Sequence, residues 1–370
     1  MKIAFVNNTL KDTLNFRGNV IKAFIEKGYD VTIISPNDTS VDIKEFHKDL
    51  KFIPVEFSRK SKNPFSDLIY CKKLYDIYKK EKFDIIFHYT IKPNIYGNIA
   101  ADFNKIKSIS IIPGLGHLFI EESFATKIVE ILYKFSLRHA KEVWFLNEDD
   151  KKEFLRRKLL KEDKIKILPG EGIDLEKFKP IEKQRKDNKI VFLMIARVLW
   201  EKGFKEYVEA AKILKKKYDN LEFQLLGQID TGNPSGVSKE IVEEYYNKRI
   251  INYLGVSNDV PNIISNCDCL VLPSYREGVP RTLMEGTAME KFLIATDVTG
   301  CREVVKDGYN GFLCEVKNSE DLANKMEKFI NLTKEKKEVL GKNGRKLMRD
   351  KFEDNIILKK YLEIVGDNKC

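Results

Sequence analysis

Short apolar runs alternate with longer segments of helical periodicity along the whole chain. In the first half, residues 2–7, 29–35, 52–57, 84–88, 108–112, 143–147 and 165–168 have the length and branching of buried strands. Between them, 17–28, 66–81, 93–104, 122–141 and 148–158 read as helices, the first ended by Gly28. Strand, helix and strand within about thirty residues make a βαβ unit, which closes right-handed in a parallel sheet. The second half repeats the pattern, with strands at 189–196, 221–226, 250–255 and 269–272 and helices at 204–217, 258–266, 319–332, 334–350 and 353–365. The Pro/Gly-rich segment from Pro169-Gly170-Glu171-Gly172 to Pro180 reads as a linker. The pattern predicts an α/β protein of two Rossmann-like doubly wound domains, residues 1–170 and 171–350, with a terminal helical segment 351–370.

In such sheets ligands bind at the carboxyl ends of the strands. The most informative of these ends is in residues 268–286. Cys269–Leu272 is a strand, Ser274–Gly278 a loop, and Pro280 suits the first turn of a helix. Glu277 then lies on the loop and Glu285 on the helix. The N–H groups of Gly278, Val279 and the first helical turn make an anion-friendly end. Carboxylates beside an anion site fit a ligand carrying both phosphates and vicinal hydroxyls, as a nucleotide sugar does. The plainer alternative is that both are ordinary exposed acids at a helix start. Arg197 ends the strand 189–196 and Lys202-Gly203 opens the next helix. Two such cations suit a leaving diphosphate, and no Asp-x-Asp metal motif is evident.

The corresponding loops of the first half carry Asn7-Asn8-Thr9, Asn15-Phe16-Arg17, His88-Tyr89-Thr90-Ile91-Lys92 and Pro113-Gly114-Leu115-Gly116-His117. No Gly-x-Gly-x-x-Gly follows the first strand, which argues against a dinucleotide dehydrogenase. Gly114 and Gly116 let backbone approach a ligand. A cation at a helix start, Arg17, opposes the helix dipole and hints at an anionic ligand beside Asn15. His88 stands at a strand end and is either a site residue or a packed core histidine.

The chain has 370 residues and a formal charge of +10, of which roughly +7 falls in residues 1–180. Such a balance attracts nucleic acid, anionic lipid or phosphorylated ligands, but no nucleic-acid-binding motif is present. No run approaches the ~18 apolar residues of a membrane span, and the first residues form a strand, not a signal peptide. The cysteines show no zinc spacing and read as reduced thiols of a cytosolic protein. On the helix 122–141, Lys127, Lys134, Arg138 and Lys141 fall within about 60° of one another, flanked by Phe124 and Ile131. Such a stripe either is a solvated face or lies on an anionic membrane surface. Lys60, Lys62, Lys72 and Lys73 add to the same charge.

Glu277 and Glu285, seven residues apart after an apolar strand, resemble the Glu-x7-Glu motif of the retaining GT-B glycosyltransferases of family 4. Val191–Gly203 (VFLMIARVLWEKG) and Ile294–Glu303 (IATDVTGCRE) are similar to further segments of that family. The resemblance spans the chain, with the specific motifs in the second half. It implies a GT-B fold whose two domains face a central cleft, and a terminal helix that often returns to the first domain. It implies a nucleotide-sugar donor, with Arg197 and Lys202 at the diphosphate and Glu285 at the ribose. Glu277 and the Gly278, Val279 and Pro280 backbone would meet the sugar, Gly255 and Val256 the base, and His117 the region of the anomeric carbon.

No metal or other cofactor is implied. The segments Met194–Glu206 and Phe57–Phe65 look similar to Pgl-type N-acetylgalactosaminyltransferases acting on undecaprenyl-diphosphate-linked sugars. That similarity implies UDP-GalNAc as donor, an alpha-1,3 linkage, a polyprenyl-diphosphate-linked acceptor and a place at the inner membrane surface. Asn7-Asn8 stands where many relatives have Gly-Gly, and Glu290-Lys291-Phe292 where relatives have Gly-Lys-Pro. If Glu290 is left-handed, the cost is about 1 kcal/mol. A UDP-GlcNAc epimerase of the same fold and a non-catalytic protein binding membranes or polyanions are the alternative readings. The epimerase would act without acceptor; the binding protein would release no UDP.

Overall fold

A computed structural model of the chain describes residues 1–57, 63–115, 124–185 and 187–366. The chain divides into two compact units, Met1–Gly172 with Asp354–Cys370, and Ile173–Glu353.

In the first unit the chain runs β1 (Lys2–Val6), α1 (Leu10–Glu26), β2 (Asp30–Ser35), α2 (Ile43–Phe46), β3 (Lys51–Pro54), α3 (Pro64–Glu81) and β4 (Ile85–Tyr89). A π-helical turn, Pro93–Gly97, then leads into α4 (Asn98–Phe103), followed by β5 (Lys107–Ile112), α5 (Phe124–Ser136), β6 (Glu142–Phe145), α6 (Glu148–Arg156) and β7 (Ile165–Ile167). The strands pair in the order β3-β2-β1-β4-β5-β6-β7, each ladder parallel. The order reverses between β1 and β4, which places a ligand crevice at their carboxyl ends.

One face of this sheet packs Ala4, Val6 and Ile86 under Tyr70, Leu74 and Tyr78 of α3. The other face is aromatic. Phe5 stacks on Phe87 at 5.2 Å, and Tyr361 lies 5.0 Å from both Phe87 and Trp144. Tyr361 belongs to the last helix, α14 (Asp354–Val365), which packs beside α1 in this unit; its hydroxyl bonds that of Tyr89 at 2.7 Å.

The second unit runs β8 (Ile190–Ile195), α7 (Phe204–Lys215), β9 (Leu221–Leu226), α8 (Lys239–Asn247), β10 (Asn252–Gly255), α9 (Val260–Ser265), β11 (Cys269–Leu272) and α10 (Arg281–Ala288). It continues through β12 (Phe292–Thr296), α11 (Cys301–Val304), β13 (Gly311–Cys314), α12 (Ser319–Ile330) and α13 (Lys334–Leu347). The sheet order is β10-β9-β8-β11-β12-β13, again parallel, with its reversal between β8 and β11. Alternate strand residues feed two cores. Phe192, Met194, Phe223 and Val271 pack under α7 and α12, while Val191, Leu193, Leu270 and Leu293 pack under α10. Both faces are covered, which is why the central strands β8 and β11 are apolar throughout. Helix α8 has no counterpart in the sequence reading, because its Lys-Glu-Ile-Val-Glu-Glu-Tyr-Tyr-Asn buries only Val242.

Two expectations need correction here. Residues 10–15 are helical, not loop: Thr9 caps α1 by accepting from the Asp12 N–H at 3.2 Å, and the helix starts at Leu10. Asn15 is therefore an exposed helical residue, and Arg17 lies two turns in. The anion for Arg17 is the carboxylate of Glu171, and its guanidinium lies 4.1 Å over the Tyr89 ring. A buried cation held by a carboxylate and a π face satisfies a structural need, not a ligand's. The helix predicted over 122–141 ends at Ser136; a 3₁₀ turn, Leu137–His139, follows, and Lys141 lies in the turn before β6. Glu290 is left-handed at φ 59°, just past the end of α10.

Removing Glu171 leaves Arg17 buried without its carboxylate. Glu171→Ala is expected to lower unfolding stability by about 3–5 kcal/mol, measured by denaturant titration. Glu171→Asp, which keeps the charge, is expected to lose less than half of that.

Candidate active site

In the second unit the loops after β8 and β11 leave the sheet at the point where strand order reverses. Two close backbone approaches bring them together. Gly203, at φ 81°, lies against the Pro273 carbonyl, where a Cβ would overlap it. Gly300, at φ 82°, lies in the same way against the carbonyls of Glu277 and Gly278. Side chains on neither glycine would allow this packing. The loop 274–278 is thus clasped on one side by the turn before α7 and on the other by the turn after β12. The Tyr275 N–H donates to the Glu201 carbonyl at 2.9 Å, and the Glu277 N–H to the Thr299 carbonyl at 3.2 Å.

The clasp sets Lys202 against Glu277, Nζ to Oε1 at 2.6 Å, with both side chains largely buried. Glu285, one helix away, accepts from Arg281 Nε at 3.1 Å, an i,i+4 pair on α10. Burial pushes the Glu285 carboxyl above the usual carboxylate range, and Arg281 opposes that shift. Pro280 caps α10, with extended backbone (ψ 113°), instead of opening its first turn. Arg197 stands at the end of β8, its side chain 55% exposed and 3.6 Å from Asp230. Gly255, at φ 71°, and Val256, 70% exposed, end β10. The Gly227 N–H donates to the Gly255 carbonyl at 2.7 Å, which draws the ends of β9 and β10 together.

Sequence reasoning missed what holds this loop. The Tyr275 hydroxyl donates to both carboxylate oxygens of Glu206, at 2.9 and 3.1 Å, and Glu206 is 4% exposed. The Lys317 ammonium lies 4.9 Å over the Tyr275 ring. Tyr275 and these two partners lie on three separate segments, so no local spacing could reveal them. The Arg281–Glu285 pair was missed as well, although its i,i+4 spacing is local.

In the first unit, His88 is not a ligand-facing residue. It is fully buried, with Nε2 3.0 Å from the Tyr78 hydroxyl and Nδ1 3.0 Å from Asn98 Oδ1. Asn98 Nδ2 donates to the Asn94 carbonyl and to Ser110 Oγ, both at 2.6 Å, so its Oδ1 must accept. His88 therefore carries its proton on Nδ1 and accepts from Tyr78. Burial pushes its pKa down to about 3. Gly97 lies against the ring, where a Cβ would overlap it. Gly114 lies in the described part of its loop, which ends at the buried Leu115; Gly116 and His117, like Lys60 and Lys62, lie outside the described residues. On α5, Lys127, Lys134 and Arg138 are exposed beside Ile128, Ile131 and Phe135.

Two parallel α/β units, each with a strand-order reversal, are the units of which the GT-B fold is built, and the comparisons with known proteins agree. A family model described as "Glycosyl transferases group 1" matches residues 176–347, and one described as "Glycosyl transferase 4-like" matches residues 2–147. The chain is 35% identical, over 98% of both sequences, to the N,N'-diacetylbacillosaminyl-diphospho-undecaprenol alpha-1,3-N-acetylgalactosaminyltransferase of Campylobacter jejuni. It is 29% identical to the Escherichia coli UDP-Gal:alpha-D-GlcNAc-diphosphoundecaprenol alpha-1,3-galactosyltransferase, over 70% of this chain and 67% of that one. A glycosyltransferase structure from Rickettsia africae superposes with a TM-score of 0.79 at 27% identity, covering 98% of this chain and 97% of that one. The chain belongs to the family 4-like, group 1 glycosyl transferases, and it is a glycosyltransferase.

Two predictions follow from the geometry. Tyr275→Phe leaves the buried Glu206 carboxylate without its donor and is expected to lower stability by about 1–3 kcal/mol. Adding Glu206→Gln should recover part of that loss, because a neutral amide is cheaper to bury; a double-mutant cycle by denaturant unfolding measures it. His88 should remain a neutral, Nδ1-protonated imidazole from pH 8 to pH 5, as read by imidazole nitrogen NMR. Its pKa is lowered on folding, so its contribution is complete above about pH 6.5 and is lost as pH falls toward 3. Wild-type stability should therefore drop by about 2 kcal/mol more between pH 7 and pH 5 than that of a folded His88→Gln variant.

Proposed function

We propose that this glycosyltransferase takes a UDP-sugar, with UDP-GalNAc the preferred donor, and extends a polyprenyl-diphosphate-linked saccharide in alpha-1,3 linkage, with retention and without a metal ion. The observation that carries the reading is the Lys202–Glu277 pair at the β8/β11 switch point, with Glu285 on the adjoining helix. The activities of the Campylobacter and Escherichia relatives, both acting on undecaprenyl-diphosphate sugars, support the acceptor class. The Campylobacter relative supports GalNAc.

Each residue has a chemical task under this reading. Lys202 and Arg197 take the negative charge that grows on the departing diphosphate, aided by the N–H groups of Gly278 and Val279. Glu285 accepts from the ribose hydroxyls and Glu277 from those of the sugar. The Gly255–Val256 backbone contacts the base. The bond from the anomeric carbon to the phosphate oxygen breaks and one to the acceptor oxygen forms on the same face. The acceptor's hydroxyl proton passes to the leaving phosphate, so no enzyme nucleophile is required. Because Glu277 and Lys202 neutralise one another before the donor arrives, donor binding exchanges this pair for contacts with sugar and phosphate.

Among the described residues no helix is long and apolar enough to cross a membrane. The reading places the enzyme peripherally on the inner face of the cytoplasmic membrane. Helix α5 would be held there by Lys127, Lys134 and Arg138.

The test is UDP release across a panel of UDP-sugars, with and without polyprenyl-diphosphate-linked mono- and disaccharides, in EDTA. Acceptor-dependent release with UDP-GalNAc, unaffected by EDTA, is the expected result. Release only with another sugar replaces the donor; loss of release in EDTA removes metal independence; turnover of UDP-GlcNAc without acceptor points to an epimerase. Glu277→Gln should lower acceptor-dependent release by roughly 100-fold while unfolding stays cooperative.

A further inference from the structure

Helix α10 begins with a cation. Arg281 is its first residue, and Gly278, Val279 and the Pro280 cap lie just before it. The N–H groups at a helix start carry partial positive charge, so the helix dipole opposes a guanidinium there. Glu285 relieves that opposition. Arg281 Nε lies 3.1 Å from Glu285 Oε1, with the arginine side chain 21% and the carboxylate 12% exposed. Lys202 and Glu277 form the same arrangement at the other end of the segment 277–281, also largely buried. Each carboxylate is thus held by a cation where neither charge is well hydrated.

The two pairs respond alike to the donor described above. Glu277 accepts from the sugar hydroxyls and Glu285 from the ribose diol. A carboxylate that accepts from a diol has replaced its cation, and a largely buried cation that loses its carboxylate needs another anion. Donor binding therefore turns out two cations, Lys202 and Arg281. A nucleoside diphosphate sugar brings two phosphate charges to meet them. The Arg197–Asp230 pair stays out of this balance, because no hydroxyl is assigned to Asp230 and the pair is more exposed. Burial pushes the Glu285 carboxyl up, and Arg281 and then Lys177 pull it back, so the carboxylate keeps a positive neighbour when Arg281 turns away.

We propose that Arg281 is a diphosphate-binding residue: held on Glu285 before the donor arrives, it is released when the ribose takes that carboxylate, and its guanidinium then binds the donor's phosphates at the start of α10. The planar fork of a guanidinium spans two phosphate oxygens, which an ammonium does not. The two halves of the nucleotide are thereby coupled, since the nucleoside displaces the cation and the diphosphate receives it. This inference rests on the reading of a nucleoside diphosphate sugar as donor.

The test is calorimetric binding of UDP, uridine and inorganic pyrophosphate, with the weak ligands in competition against UDP. Glu285→Gln removes the carboxylate and keeps the guanidinium. Arg281→Gln/Glu285→Gln removes both, so neither protein buries a carboxylate without its cation. Glu285→Gln is expected to weaken uridine binding and to bind pyrophosphate at least as tightly as the wild type. The double variant is expected to bind pyrophosphate roughly tenfold or more weakly than Glu285→Gln. Arg281→Gln alone should weaken UDP by a similar factor without weakening uridine, and Arg281→Lys should restore part of the UDP affinity. Should Arg281→Gln not fold, the comparison of the other two proteins decides by itself.

Equal pyrophosphate affinity in Glu285→Gln and the double variant overturns the proposal. So does an equal loss of UDP and uridine in Arg281→Gln, the result for an arginine that only orients Glu285. UDP binding that depends on Arg281, in a protein showing no acceptor-dependent UDP release, supports the phosphate role while the proposed reaction fails. If GDP or dTDP is bound in place of UDP, the UDP reading fails, and the same comparison with that nucleotide and its nucleoside decides the role of Arg281. Binding of no nucleoside diphosphate overturns both.

Discussion

The contact between the Lys202 ammonium and the Glu277 carboxylate depends on backbone geometry more than on charge. Neither residue reaches the other unless the turn before α7 and the loop after β11 touch, and they touch because Gly203 and Gly300 carry no Cβ. Two left-handed glycines therefore set the spacing of a charged pair. The Tyr275–Glu206 bond and the Thr296 hydroxyl, which donates to the Ser274 carbonyl, hold the same loop from other directions. A site whose members move little on binding retains more of its contact energy for the reacting centre.

The first unit solves a different problem with similar means. Its sheet has an aromatic floor, and into that floor the chain places a guanidinium. Arg17 is tolerable there because Tyr89 offers a π face and Glu171 a carboxylate. Asn19 bonds Asp354 of the returning helix in the same region, and Gly172 lies against Asp354 where a side chain would overlap it. The residues where the chain leaves and re-enters this unit are thus pinned to α1. On the opposite face, the Tyr78–His88–Asn98–Ser110 chain satisfies each polar atom it buries at the base of the Pro93–Gly97 turn. The π-helical turn sits over that network.

Charge is arranged differently at the switch point of the second unit and on α5 of the first. In the second, cations are matched to carboxylates one by one: Lys202 to Glu277, Arg281 to Glu285, Arg197 to Asp230. Such matching suits a polyol that carries phosphate, which can replace both members of a pair. On α5 the lysines are exposed and interleaved with Ile128, Ile131 and Phe135, an arrangement suited to an extended anionic surface.

The order of strands and helices was legible in the sequence because apolar runs of strand length alternate with helical periodicity. The placing of a loop carboxylate, Glu277, and a helix carboxylate, Glu285, eight positions on was legible for the same local reason. What the sequence left open was which polar residues near strand ends face a ligand and which face the core. A parallel sheet is buried on both sides, so alternation gives no outward direction, and His88 looks the same in either role. Arg17 was misread because Thr9 starts its helix earlier than the apolar pattern suggests, and its partner is 154 residues away. Tyr275 and Glu206, 69 residues apart, meet only once β11 lies beside β8. Local spacing decides elements and their ends; only strand order and the close approach of backbones decide which distant charges become partners.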